Sequence, residues 1–242
     1  MYSLFAFLKS LSKRFLYLIR SQRSQVQIWD KFHENSYHPG VNGTIARIQN
    51  DINTKDVDSV FDFFEGKLDT KIELNDLEVM EIGSGGGWYL AQALRRGARY
   101  AHGVEISKGI NSTAESALHS FGYTDFSLYE LADGDLTQLK SGKVDFIYSI
   151  TVFQHIPTQT LRRYLSSAHS ILSENGKFAF QVLENNEADL KYGSTSDVLS
   201  MSYGPSSISD LLAQSHLRIH KYKKYEYDSG SNFWGLYLVE KE

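Results

Sequence analysis

A short apolar run, Val79-Met80-Glu81-Ile82, leads into Gly83-Ser84-Gly85-Gly86-Gly87 and then into the stretch from Trp88 to Arg96. No other segment constrains the fold as much. Glycines at such a turn accept positive φ without a Cβ penalty and let a ligand touch the backbone. The helix after the turn presents unbonded N–H groups to the same place. A strand, a glycine turn and a helix in this order commonly hold a nucleotide-like ligand.

The rest of the chain repeats the alternation of strand and helix. Tyr100 to Ile106 reads as a second strand and Lys108 to Phe121 as a helix closed by Gly122. Phe126 to Leu131 reads as a third strand and Val144 to Ile150 as a fourth. Thr158 is placed to cap a helix whose face carries Leu161, Tyr164, Leu165, Ala168, Ile171 and Leu172. Those residues recur with the helical period. Gly176 ends the connection to a fifth strand, Lys177 to Leu183. Ser207 and Asp210 have capping-box spacing before a short helix. Leu217 to Tyr227 and Phe233 to Val239 then flank Asp228-Ser229-Gly230-Ser231-Asn232, which reads as a hairpin. Alternating strands and helices imply a parallel, doubly wound sheet. The hairpin adds one antiparallel strand.

Three regions are expected: an amphipathic basic helix over 1–23, a helical cap over 24–76 and a Rossmann-like domain over 77–242. In the first, Leu4, Leu8, Leu11, Phe15 and Leu18 share a stripe, with Lys9, Lys13, Arg20 and Arg23 roughly opposite. This pattern suits the surface of an anionic membrane. It also suits a helix packed on its own domain or on a second copy of the chain, the commoner fate of amphipathic helices. In the cap, Trp29, Phe32 and Tyr37 lie in a polar stretch that ends at His38-Pro39-Gly40. Ile45, Ile48, Ile52, Val60, Phe63 and Phe64 then return to helical spacing, as one or two helices laid over the domain.

Composition narrows the function. The formal net charge of −4 argues against a nucleic-acid partner held by bulk electrostatics. The lack of cysteine excludes disulfides, thiolate zinc sites and a Cys nucleophile, and fits a reducing cytoplasm. No apolar run reaches the ~18 residues of a membrane span, and no small-residue cleavage site comes after the N-terminus. Any membrane association would therefore be peripheral, at the inner face.

Acidic residues stand at two further strand ends. Strand 2 closes on Gly103-Val104-Glu105, where a carboxylate can accept both hydroxyls of a ribose. Strand 3 closes on Leu131-Ala132-Asp133-Gly134, which can read an adenine edge or simply form a turn.

Taken together, residues 77–183 resemble the class I S-adenosylmethionine-dependent methyltransferases of the small-molecule type. Glu81-Ile-Gly-Ser-Gly-Gly-Gly87 is similar to that family's E/D-x-G-x-G-x-G motif. Glu105 matches its ribose-binding acid, and Asp133-Gly134 its adenine contact. Phe153-Gln154-His155-Ile156-Pro157 matches the segment that often lines its active site. Leu172-Ser173-Glu174-Asn175-Gly176-Lys177 departs from the family's L-K-P-G-G turn but keeps one glycine. The resemblance implies a seven-stranded sheet of order 3-2-1-4-5-7-6, with strand 7 antiparallel and an N-terminal helical extension. It implies S-adenosyl-L-methionine as cofactor, held by Glu81, Gly83, Ser84, Gly85, Gly87, Glu105, Ile106, Asp133, Gly134 and Ser149.

It also implies transfer to a small-molecule, sugar or lipid-linked acceptor, in line and without metal. The enzyme's task is then to align the nucleophile and exclude water. His155 is the candidate base, with a backbone-bonding role at a helix start as its alternative. Trp29, Tyr37, His38, Tyr192 and Tyr203 are candidates to line the acceptor pocket. Ile150-Thr151-Val152-Phe153 lacks the D/N/S-P-P-Y segment of DNA amino methyltransferases. No metal spacing is evident among the histidines, and no acid pair comes after strand 4 to hold a guanidinium. The competing readings are a scaffold that keeps the fold without catalysis and a dinucleotide-dependent oxidoreductase.

Overall fold

The computed structural model describes residues 22–32, 40–53, 60–139, 143–185, 191–195, 198–226 and 232–242. Three helices come first: α1 (Gln22–Phe32), α2 (Gly40–Asn53) and α3 (Val60–Leu68). The alternating domain begins with β1 (Glu78–Ile82), α4 (Trp88–Arg95), β2 (Tyr100–Glu105), α5 (Lys108–Ser120), β3 (Phe126–Glu130) and β4 (Val144–Ser149). It continues with α6 (Thr158–Ile171), β5 (Leu172–Asn185), β6 (Lys191–Thr195), β7 (Val198–Ser202), α7 (Pro205–Gln214), β8 (Leu217–Glu226) and β9 (Asn232–Lys241).

The main sheet runs β3-β2-β1-β4-β5-β9-β8. Strand β9 is antiparallel to both its neighbours, and the other strands share one direction. With β8 and β9 counted as the sixth and seventh strands of the domain, this is the expected order. The ends of β1, β2 and β4 therefore open on one edge, where the sheet order reverses and ligands bind in such folds.

Strand side chains alternate between two apolar layers. Met80, Ile82, Val104, Ile147, Phe178 and Phe180 face α6 and α7 through Leu161, Leu165, Ile208 and Leu211. Val79, Ala101, Phe146, Tyr148 and Ala179 face α3, α4 and α5 through Phe61, Phe64, Leu90 and Leu118. Near the end of β5, buried Glu184 accepts hydrogen bonds from Tyr222 Oη at 2.7 Å and from Tyr237 Oη. Gly235 makes room for it, because a Cβ there would lie 2.2 Å from Glu184 Oε1. This polar lock joins β5, β9 and β8.

Several local expectations differ from the structure. Helix α1 occupies the polar stretch that holds Trp29 and Phe32, where no individual helix is expected. Ser207 and Asp210 form no capping box: α7 starts at Pro205, whose fixed φ suits a first helical turn. Thr158 is the first residue of α6, and Pro157 holds the cap position without a side-chain bond. The turn around Gly176 is absorbed into β5, as an irregularity between Leu172 and Lys177 in the pairing with β4. The β6–β7 hairpin has no counterpart among the expected elements. The stripe from Leu4 to Leu18 lies outside the described residues, as do Tyr37 and His38. Among the described residues no helix is long and apolar enough to cross a membrane.

Phe61 is fully buried, and its ring meets that of Tyr148 edge-on at 5.1 Å. Phe61→Ala should destabilise the fold by about 3–5 kcal/mol. Denaturant unfolding measures this, and a loss below about 1 kcal/mol would mean that α3 is not packed on the sheet.

Candidate functional site

The glycine loop is built for close approach. Gly83, Gly85 and Gly87 have φ of +77°, +49° and +83°. A Cβ on Gly83 would stand 2.2 Å from Val152 Cγ2, and one on Gly87 3.1 Å from Ala114 Cβ. One on Gly85 would meet nothing within 4 Å. Two of the glycines thus serve packing, and the middle one borders open space. Gly83 and Ser84 donate their N–H groups to Val104 O at 2.7 and 3.2 Å, which ties the loop to β2. Ser84 Oγ is buried without a hydrogen-bond partner.

Glu105 closes β2 beneath this loop. Its Oε1 accepts from the N–H groups of Ile106 at 2.8 Å and Ser107 at 3.1 Å, and its Oε2 from Gly85 N–H at 3.1 Å. Burial pushes its carboxyl above the usual range, the three N–H donors pull the other way, and the charge of Asp30 adds to the rise. Glu81, on β1, is buried beside it and accepts from Tyr148 Oη at 3.5 Å. Burial pushes the Glu81 carboxyl well up, and the charge of Glu105 adds to this. Bonds from Tyr148 and from the Leu90 N–H oppose it.

Beyond β3, Asp133 accepts from Asp135 N–H at 3.1 Å and Gln138 Nε2 at 3.0 Å. Gly134 has φ +81°, and a Cβ there would lie 2.7 Å from Thr160 O. Its glycine is therefore required by α6 as well as by its conformation. Ser149 donates its hydroxyl to Ile82 O at 3.0 Å, joining the ends of β4 and β1. That hydroxyl's proton serves the fold, while the backbone of Ser149 remains at the site edge.

After β4 the chain turns sharply. Thr151 has φ +58°, in a region that costs a β-branched residue of order 1–3 kcal/mol. Gln181 Oε1 holds its N–H at 3.1 Å. His155 ends a single 3₁₀ turn, Phe153–His155. Gln154 Nε2 lies 3.1 Å from His155 Nε2, and Trp29 of α1 meets the imidazole edge-on at 5.4 Å. On the other side of the cleft, Ser107 Oγ donates to Asp30 Oδ1 at 2.5 Å. Helix α1 therefore reaches from the end of β2 to the segment after β4.

The structure gathers Glu81, the glycine loop, Glu105 and Ile106 at one edge, with Asp133–Gly134 and His155 at neighbouring strand ends. Of the candidate pocket residues, Trp29 reaches this edge. Tyr203 is buried in the layer that faces α6 and α7. Tyr192 lies on β6. Sequence reasoning missed Asp30, Thr151 and Gln181. Val26, Trp29 and Phe32 sit three residues apart, a helical spacing that could have signalled α1.

Comparison with known proteins bears on this geometry directly. Residues 80–178 match the family described as a methyltransferase domain. This stretch is thus similar to a methyltransferase domain, and the fold is the Rossmann-like one of solved class I methyltransferases. S-adenosylmethionine is the cofactor that such a domain takes. An uncharacterized protein of Haemophilus influenzae is 28% identical over 151 residues, covering 55% of this chain. The match spans 59% of that relative's length, less than two thirds of it. A methyltransferase of Mesorhizobium loti superposes with a TM-score of 0.57 at 18% identity, over 73% of this chain and 95% of its own. The magnesium protoporphyrin IX methyltransferase of Synechocystis, with bound S-adenosylmethionine, gives 0.56 at 17% identity, over 95% and 97%.

The methyltransferase domain fits its cofactor at the level of donors and space. The clearance beside Gly85 and the buried Glu81 and Glu105 carboxylates are compatible with a cationic nucleoside, while the unpartnered Ser84 Oγ lies against Gly103 of β2. Among the described residues no cluster of three His, Asp or Glu side chains is arranged to hold a metal.

The raised Glu81 carboxyl has a stability consequence. A group with a raised folded pKa contributes fully below its ordinary pKa and loses that contribution as pH rises through the raised value. Ligand-free Glu81→Gln should therefore melt above the wild type near ~pH 8, with the difference shrinking toward ~pH 4. Scanning fluorimetry across this range tests it, and a variant that melts no higher than wild type at the alkaline end would contradict it.

Proposed function

We propose that the chain is an S-adenosylmethionine-dependent methyltransferase acting on a small-molecule, sugar or lipid-linked acceptor. The observation that carries this is the contact between Gly85 N–H and Glu105 Oε2, which sets the glycine loop against a ribose-type acid at the sheet's switch point. The domain match supports transferase chemistry. A neighbour of the same fold acts on magnesium protoporphyrin IX, which supports a small-molecule acceptor. The basic, apolar-striped segment over 1–23 supports a lipid-linked version, with an anionic membrane face as docking surface.

When bound, the cofactor supplies a methyl group already activated on a sulfonium. The residues of this chain bind, orient and exclude water. Glu105 would accept a ribose hydroxyl, and Asp133 with the Gly134 N–H would read the adenine. Glu81 would balance the cofactor's positive charge inside a buried pocket, where no described Lys or Arg forms an ion pair with it. The acceptor enters from the β4 side, between the 3₁₀ turn and α1. His155 is placed there to take a proton from an acceptor hydroxyl, and Gln154 and Trp29 fix its ring. Excluding water is the work of α1, which strengthens every polar contact beneath it.

Calorimetric titration with S-adenosylmethionine, S-adenosylhomocysteine and NAD tests the proposal. Saturable binding of the two sulfur nucleotides is expected, with NAD far weaker. Glu105→Ala should weaken them by about tenfold or more, the worth of a hydrogen bond to a charged group. Tight NAD binding without the sulfur nucleotides would replace this reading with an oxidoreductase. Cofactor binding with no turnover on any acceptor class would favour a scaffold.

A further inference from the structure

The hydrogen-bond inventory at Glu105 falls one acceptor short of a ribose. A carboxylate offers about four lone-pair positions, two on each oxygen. Oε1 is filled by the N–H groups of Ile106 and Ser107. Oε2 already takes the Gly85 N–H. One position remains, whereas a 2′,3′-diol brings two O–H donors. The second hydroxyl needs another acceptor in a place where burial makes an unpaired donor costly.

A second acceptor comes from outside the glycine-loop domain. Ser107 serves two carboxylates at once, giving its N–H to Glu105 Oε1 and its hydroxyl to Asp30 Oδ1. Among the described residues, Asp30 Oδ2 accepts nothing. Asp30 is half-buried and close enough for its charge to act on Glu105. Among the described side chains no cation pairs with either acid, which suits a ligand that presents neutral O–H donors. Helix α1 is also anchored at the far side of the cleft, where Trp29 rests on His155. Four residues before Trp29, and so on the same helical face, Gln25 buries an amide nitrogen that has no partner. Helix α1 thus carries an unfilled donor at Gln25 as well as an unfilled acceptor at Asp30.

We propose that Asp30 is a cofactor-binding residue: it supplies the second acceptor for the ribose diol, which makes α1 part of the nucleoside site. This rests on the reading of the cleft as an S-adenosylmethionine site. One consequence is that the site is complete only with α1 seated. A second is that the helix bonded to Ser107, next to the ribose acid, also meets His155, the proposed base, so cofactor and acceptor sides share one cover.

The test is calorimetry with S-adenosylhomocysteine and its 2′-deoxy and 3′-deoxy forms, on wild type, Asp30→Ala and Asp30→Asn. For wild type, both deoxy forms should bind more weakly. Asp30→Ala should weaken S-adenosylhomocysteine by about tenfold or more. Against that variant, one deoxy form should bind as well as the full ligand, because its missing hydroxyl no longer had a partner to lose. Asp30→Asn keeps one acceptor oxygen and the shape of the side chain, so it should recover part of the loss. Should Asp30→Ala melt well below wild type, Asp30→Asn carries the comparison. Equal weakening of all three ligands, or no weakening, would overturn the role of Asp30 while leaving the cofactor site standing. Failure of the wild type to bind any of the three would overturn the cofactor reading itself.

Discussion

Everything at the site edge depends on how the backbone leaves β1. Gly83 must turn with positive φ under Val152, and Gly87 must pass Ala114 at a distance that leaves no room for a side chain. Between them Gly85 gives its N–H to Glu105 across the turn. That bond spans 20 residues of sequence and joins the first two strands at the point where the sheet order reverses. Without it, β1 and β2 would still pair, but the loop would lose its register against the acid beneath it.

Around this turn the molecule concentrates negative charge where a soluble core would ordinarily avoid it. Glu81 and Glu105 are both buried, and burial raises both carboxyls, with the charge of Glu105 adding to the rise at Glu81 and that of Asp30 at Glu105. Tyr148, pressed by Phe61 from the cap helices, gives Glu81 one of its few compensating bonds. The strained Thr151, held by Gln181, lies at the end of the adjacent strand. Strain and uncompensated charge at one edge of an otherwise well-packed sheet are what a binding site for a cationic ligand looks like before the ligand arrives.

Much of this is legible in the sequence, for identifiable reasons. Strands with buried faces announce themselves by apolar runs, and α4 and α5 end just before Gly97 and Gly122. The loop, Glu105 and Asp133 lie at strand ends that the alternation fixes, so their convergence comes from topology alone. The features that escape a sequence reading depend on tertiary placement. Helix α1 has few apolar residues among many glutamines and polar groups, so its period is faint. The β6–β7 hairpin has a first strand, Lys191–Thr195, with one large apolar residue and no alternation, and it comes after a strand that already looks finished. Asp30 meets Ser107 across 77 residues, and nothing local to either could announce that contact. His155 is recognisable by position, but its partners Trp29 and Gln154 emerge only when α1 is laid over the turn.

The most direct test of this account is a crystal structure of the complex with S-adenosylhomocysteine. The account predicts the ribose against Glu105, the adenine beside Asp133–Gly134, and the sulfur facing the segment after β4 near His155. A nucleoside bound elsewhere, or one whose sulfur points away from the β4 end, would contradict it.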